Sequence, residues 1–387
     1  MKKIQPFYYA FLIFIFLSQP SYAQFKKGFS APSNIPNSEY PYINSNGQVT
    51  FRVEAPLAKK VQVMGRDSKI PFGKKPTDLT RGEDGVWTVT ISINPGFHYY
   101  QLIIDGTPVN DPASKTYFGW GQASSGLEIP HPQINFDRPL PVPHGEVRER
   151  WYQSQVTGKL RRAFIYTPPN YNTNIKRKYP VLYLQHGAGE NERAWTKQGR
   201  VNFILDNLIN SRQAVPMIIV MDNGYAIKPG IEIPDGSWGN EAFGEVVVKD
   251  LIPLIDNQYR TIAHRNYRAI AGLSMGGGQA LEVGLNNLDK FSWVGGFSSL
   301  LKYFDVDKSY DGVFTEPVLT NLKLNLLWLG CGIGDDFYIT NKSAHQELEE
   351  AGIQHTWVSS EGGHEWLVWR RYLRDFGSMI FQDNSIK

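Results

Sequence analysis

The chain has 387 residues, 41% hydrophobic and 20% charged, which is room for two folded domains and excludes a disordered or low-complexity protein. Forty basic and 37 acidic residues give a net charge of +3 with the signs interspersed, so nucleic acid and anionic membrane surfaces are not expected partners. A single cysteine, Cys331, excludes an internal disulfide framework.

In chain order, Lys2 and Lys3 precede an apolar run from Phe7 to Leu17, and Ser21-Tyr22-Ala23 follows with small-x-small spacing. This pattern predicts a secretory signal peptide over 1–23, cleaved before Gln24. The run is too short to span a bilayer, no cysteine sits at the cleavage point, and no membrane anchor is expected. A cysteine-poor exported protein suits a bacterial periplasm or exterior. From 47 to about 115 short strands are expected. Trp87, Val89, Ile91 and Ile93 alternate with polar residues, Phe97 to Ile104 is a second run ending at Asp105-Gly106, and Phe51/Val53 and Val61/Val63 add two more. These predict a small antiparallel β-sandwich over 24–138. Pro139, Pro141 and Pro143 mark a linker at 139–150.

Beyond the linker, over 151–387, strand-like runs (Val181 to Gln185, Met217 to Met221, Ala269 to Leu273, Leu324 to Leu329, His355 to Val358) alternate with amphipathic stretches. The latter cover 201–209, 243–255, 343–351 and 366–381. Such alternation predicts an α/β domain with a mostly parallel sheet covered on both faces.

The chemistry concentrates at Gly272-Leu273-Ser274-Met275-Gly276, between an apolar strand and a Gly- and Ala-rich helix start. A strand-to-helix bend this sharp leaves no room for Cβ atoms beside the serine, so glycine flanks it and the hydroxyl projects at the positive end of a helix. A serine hydroxyl needs a base, and the base needs an orienting carboxylate. Of the histidines after Ser274, His345 falls in a helix and His355 in a strand. His364 lies in the loop Glu361-Gly362-Gly363-His364-Glu365-Trp366 between the last strand and last helix, where the base belongs. Asp335 is the preferred acid, with Asp336 the alternative; periodicity does not separate them. The oxyanion of acyl transfer needs backbone donors. Met275 N–H is one. The second is expected from His186-Gly187-Ala188-Gly189, at Ala188 with Gly187 next in line, while His186 hydrogen-bonds within the loop. Trp238, in the loop 231–240, and Trp366 are candidate aromatic walls of a substrate pocket. No metal-ligand spacing, P-loop or dinucleotide fingerprint occurs, so no metal or cofactor is expected.

Four motifs together resemble carbohydrate esterase family one: Tyr166-Thr167-Pro168-Pro169, Pro180-Val181-Leu182-Tyr183-Leu184-Gln185-His186-Gly187, Gly272-Leu273-Ser274-Met275-Gly276-Gly277 and Gly362-Gly363-His364-Glu365-Trp366. The family includes feruloyl and acetylxylan esterases and, more distantly, enterochelin esterases and mycolyltransferases. The resemblance covers about 146–381. It implies an α/β-hydrolase fold and a triad of Ser274, His364 and an acid near Asp335, since Gly332-Ile333-Gly334-Asp335 matches the family's Gly-x-x-Asp spacing. Gly85-Val86-Trp87 and Tyr99-Tyr100-Gln101-Leu102-Ile103-Ile104-Asp105-Gly106 resemble immunoglobulin-like modules related to glycogen-binding carbohydrate-binding modules. The resulting expectation is a secreted serine carboxylic-ester hydrolase acting on feruloylated or acetylated xylan or oligosaccharide. The alternatives are a siderophore esterase or acyltransferase on the same fold, or a non-catalytic glycan-binding protein.

Overall fold

A computed structural model describes residues 27–65, 72–73, 75–233, 237, 239–301 and 303–382; the expected signal peptide lies outside the described residues. The first part of the chain is all β. One antiparallel sheet runs in the order Phe29–Ser30, Tyr42–Ile43, Gln48–Glu54, Val86–Ser92, Thr80–Arg81. The other runs Thr116–Gly119, Gln122–Ile129, Gly96–Ile104, Val61–Gly65, Thr77–Asp78, with Thr107–Val109 added against Gly96–Ile104. Along Gln48–Glu54, Val49, Phe51 and Val53 point inward and the residues between them do not, the period-two signature of a one-sided sheet. They meet Val61, Val63, Tyr100, Leu102 and Leu127 of the facing sheet in one core, with Phe51 edge-on to Tyr100 at 5.3 Å.

Gly96–Ile104 departs from that alternation, because nearly all of it is buried. Tyr100 and Leu102 face the sandwich core, whereas Phe97 and Tyr99 pack into the core of the second domain.

The second domain is an eight-stranded sheet: β1 Glu146–Gln153, β2 Leu160–Thr167, β3 Val181–Gln185, β4 Ile218–Asp222, β5 Arg268–Leu273, β6 Trp293–Phe297, β7 Leu326–Gly332 and β8 Thr356–Ser360. Its order is β1-β2-β4-β3-β5-β6-β7-β8, antiparallel at β1/β2 and β2/β4 and parallel elsewhere. Residues 146–150, expected in the linker, are instead the start of β1, in register with Ala163 to Thr167. The proline run before them is fastened down: Asn207 donates to the Phe136 and Arg138 carbonyls, and Gly145 N–H donates to Asp206.

The buried strands explain the continuous apolar runs. In β5, Ile270 faces one core while Ala269, Ala271 and Leu273 face the other. Helices α1 Val201–Asn210 and α4 Trp366–Met379 cover one face. Helices α2 Met275–Asn286 and α3 Tyr338–Glu350, with the helical stretch 243–258, cover the other. Among the described residues no helix is long and apolar enough to cross a membrane. This topology sends the ends of β3, β5, β7 and β8 to one carboxyl edge, where open parallel sheets place their sites.

Candidate functional site

Ser274 is the single residue between β5 and α2, at φ 55° and ψ −119°. That sparsely populated conformation costs on the order of 1–3 kcal/mol and persists only where its surroundings impose it. Here Ser274 N–H donates to Phe297 O at 2.8 Å, while its carbonyl accepts from Gly278 and Leu300 N–H, both at 3.1 Å. The flanking glycines are obligatory. A Cβ on Gly272 would sit 2.2 Å from Gly276 O, and one on Gly276 would sit 2.3 Å from His186 O. The bend is therefore pressed between its own helix and the end of β3.

β7 and β8 deliver the other two side chains. His364 Nδ1–H donates to Asp335 Oδ2 at 2.9 Å, which leaves Nε2 to accept from Ser274 Oγ–H at 3.0 Å. The imidazole is held edge-on to Phe337 and Trp369, with ring centroids 5.1 and 4.8 Å away. The acid and base loops are laced together: Ile333 N–H donates to Ser360 O and Gly334 N–H to Gly362 O, both at 2.9 Å. Gly332 is required there, because a Cβ would meet Gly362 O at 2.5 Å. Asp335 is 4% exposed while Asp336 faces solvent, so the two carboxylates that the sequence leaves unresolved are separated by burial. Burial pushes the Asp335 carboxyl up. The hydrogen bond and charge of His364, the Phe337 amide (2.8 Å) and the Ser298 side chain outweigh it and hold the group below the usual carboxylate range. An ionised carboxylate behind a neutral imidazole is the arrangement that lets the imidazole take a hydroxyl proton and stabilises the cation formed.

The loop after β3 is pinned at every residue but one. Gly187 N–H donates to Glu190 Oε2 at 3.2 Å, and Gly189 N–H to the Tyr225 hydroxyl at 2.6 Å. Ala188 N–H, and Met275 N–H at the start of α2, have no protein acceptor among the described residues. Gly187 is thus the poorer candidate donor, its amide being spoken for. His186 is buried, donates from Nδ1 to Gly187 O and accepts at Nε2 from Gly224 N–H. Burial holds it neutral, its value pushed down to about 4. It fastens the loop and stands apart from the Ser–His–Asp chain.

Residues 154–376 match the model of a family described as "Putative esterase". The chain belongs to that esterase family. It is 37% identical over 360 residues to an endo-1,4-beta-xylanase/feruloyl esterase of Xylanibacter ruminicola, with 91% of this chain and 47% of that protein aligned, so it spans about half the relative's length. It is also similar to a solved ferulic acid esterase of the anaerobic fungus Anaeromyces mucronatus in complex with ferulic acid: 25% identity, TM-score 0.56, 63% of this chain and 93% of that one. The enterobactin esterase of Shigella flexneri shares 21% identity at TM-score 0.63 over 86% of this chain and 92% of that one. That is a likeness of fold which reaches beyond the esterase domain into the β domain.

Within the esterase, one expected pocket wall is misplaced. Trp366 is 2% exposed and sits in the core, edge-on to Trp195 and Trp369, both at 5.3 Å. As the first residue of α4 its ring turns in under the histidine loop, and a ring enclosed by other rings presents no face to a substrate. Trp238 lies outside the described residues. His345 and His355 hydrogen-bond to each other at 2.7 Å, on α3 and just before β8, and take no part in the Ser274 chain. An open groove of about 670 Å³ starts at Met275 and runs past Leu300, Leu301, Tyr303 and Phe304, with Glu241, Glu282, Lys308 and Asp311 supplying charge. Sequence reasoning misses these walls because 300–311 has neither strand nor helix periodicity. It also misses Ser298, Phe337 and Trp369, whose roles depend on loops meeting from distant strands.

Proposed function

We propose that this chain is an exported serine carboxylic-ester hydrolase that removes feruloyl, or acetyl, groups from plant xylan through an acyl-enzyme. One observation carries the catalytic part: Ser274 Oγ, His364 and Asp335 form a continuous hydrogen-bonded chain at the sheet's carboxyl edge, flanked by unengaged amides at Met275 and Ala188. Ser274 Oγ attacks the ester carbonyl carbon while His364 Nε2 takes its proton. The carbonyl oxygen becomes an oxyanion held by the two amides. The carbon–oxygen bond to the sugar then breaks, the sugar oxygen takes the proton from His364, and the acyl group stays on Ser274. Water repeats the cycle in the second half, delivering its proton to His364 and releasing the free acid.

The substrate assignment is supported by the feruloyl esterase named among the relatives, and by a groove whose mixed aromatic and polar walls suit an aryl ester attached to a sugar. Export is supported by the leader-like pattern at 1–23. A second reading, hydrolysis of a siderophore ester, draws on the two-domain likeness to the enterobactin esterase. The test is to incubate purified protein with feruloylated arabinoxylan and, separately, with a ferric catecholate triester, and to quantify ferulate, acetate and catecholate released. Ferulate or acetate release that vanishes in Ser274→Ala supports the first reading. Catecholate release alone moves the assignment to the second. Turnover surviving in Ser274→Ala removes the mechanism.

A further inference from the structure

We infer that the N-terminal β domain sets the oxyanion loop of the esterase domain, with Glu190 as the positioning residue and Tyr99 as its anchor across the domain boundary. This rests on the proposed function and names what aligns one of its donors.

The loop Gly187 to Glu190 has two separate attachments to the β domain. The first is backbone to backbone. Strands Thr116–Gly119 and Gln122–Ile129 are joined by Trp120-Gly121, both at positive φ (58° and 74°), the twist-matched kind of two-residue hairpin turn. A bulky residue such as Trp rarely adopts that conformation, so the turn is held from outside. What holds it is visible: Gly121 N–H donates to Gly189 O at 2.8 Å. The approach is close enough that a Cβ on Gly189, itself at φ 75°, would lie 3.0 Å from both Gly121 N and Trp120 Cα. The second attachment is through side chains. The buried Tyr99 hydroxyl donates to Glu190 Oε1 at 3.0 Å and accepts from Gln198 Nε2 at 2.6 Å. The other oxygen of the same carboxyl accepts Gly187 N–H.

A chain therefore runs from strand Gly96–Ile104 of the β domain through Tyr99 and Glu190 to the Gly187 amide, one peptide before Ala188. By taking the Gly187 N–H, Glu190 fixes the His186–Gly187 peptide plane, and its own N–H donates to Gly187 O in the plane that carries Ala188 N–H; Tyr225 fixes the Ala188–Gly189 plane and Gly121 the one after it. Ala188 N–H is left as the loop's one donor without a protein acceptor among the described residues, held still before the reaction begins, which is what makes such a donor effective. Glu190 touches no reacting atom; it acts through the loop.

The experiment uses the full chain and p-nitrophenyl acetate, with rates expressed per active site titrated by an organophosphate that phosphorylates Ser274. Losing one oxyanion donor outright costs roughly 10²–10³ in rate. Loosening it is expected to lower kcat roughly 10- to 100-fold in Glu190→Ala and by a smaller factor in Tyr99→Phe, with KM within about threefold of wild type. Glu190→Gln, which keeps an oxygen for Gly187 N–H, should recover most of the rate. A merely structural role would lower the melting temperature and the titrated fraction and leave kcat per site unchanged. If Glu190→Ala does not fold, Tyr99→Phe and Glu190→Gln decide. Tyr99→Phe at wild-type kcat, with Ser274→Ala inactive, overturns the inference and leaves the esterase mechanism standing. Activity in Ser274→Ala would instead sink the underlying mechanism.

Discussion

Removing the Arg370 side chain should cost the folded protein several kcal/mol, about 3–5. Arg370 is fully buried, on α4 six residues after His364. It donates to both Glu128 oxygens of the β domain at 2.9 and 2.8 Å, to Asp137 of the connecting segment at 2.9 Å, and through Nε to Gln198 O at 2.9 Å. Arg370→Met keeps the aliphatic volume and strands two buried carboxylates, leaving Arg200, 3.4 Å from Glu128, as the neighbouring guanidinium. Breaking a buried pair by deleting one partner typically costs about 3–5 kcal/mol, and the second carboxylate argues for the upper half of that range. Guanidinium unfolding, followed by tryptophan fluorescence and far-ultraviolet circular dichroism together, would measure it. Because the cluster bridges the two domains, the two probes should cease to coincide in the variant. The gap should also close in acid. Burial would raise the Glu128 carboxyl, but Arg370 and Arg200 outweigh it and hold it below 4.5, its ordinary value. A lowered carboxylate contributes stability that is present above that ordinary value and is lost as pH falls through the folded-state one. A variant within about 1 kcal/mol of wild type at pH 7 would refute the reasoning, since a buried charge pair cannot be halved at so small a cost.

Two further outcomes follow from the site. Asp335→Asn should lower kcat on p-nitrophenyl acetate by roughly 10³–10⁴, because an amide favours the wrong imidazole tautomer, whereas Asp336→Asn should stay within about threefold; equal losses would reverse the assignment. Burial pushes Glu190 up to about 7 from its ordinary 4.5, so the stability it contributes is complete below pH 4.5 and lost as pH rises through 7. At about 1.4 kcal/mol per tenfold change in proton affinity, Glu190→Gln should gain on wild type by about 3 kcal/mol between pH 4.5 and 8 in guanidinium unfolding, and parallel curves would contradict this.

The esterase domain was legible where one periodicity ran unbroken. Val181–Gln185 is buried throughout and reads as such, and the glycines of 272–276 announce a bend that only glycine tolerates. Reading failed where glycine serves close packing inside a strand. β6, Trp293–Phe297, carries Gly295 and Gly296 in its middle and is absent from the expected strand-like runs; a Cβ on either would strike Phe376 or the Ser299 hydroxyl. β7 likewise continues through Gly330-Cys331-Gly332, past the expected end at Leu329, because Gly330 lies beneath the Trp328 ring and Gly332 against the histidine loop. Trp366 failed for the converse reason. Its place beside His364 in the chain says nothing about which way the first residue of a helix turns its ring.

The domain boundary is where sequence reading and structure diverge most, and the divergence has a physical signal. A strand in a free-standing antiparallel sandwich alternates apolar and polar residues, because one face meets water. Phe97-His98-Tyr99-Tyr100-Gln101-Leu102-Ile103-Ile104 does not alternate cleanly, and its two faces serve two cores. Phe97 packs edge-on to Tyr117 at 4.7 Å and to Tyr99 at 5.0 Å, and all three rings lie in or against the core of the esterase domain. An antiparallel strand apolar on both faces outside a parallel sheet thus marks a docking strand, and Tyr99 could have been found by that signal. Cutting the β domain away would expose these rings, strand Arg370 and release Glu190. The β domain that the sequence presents as a separate sandwich is, in energetic terms, one wall of the domain that carries Ser274.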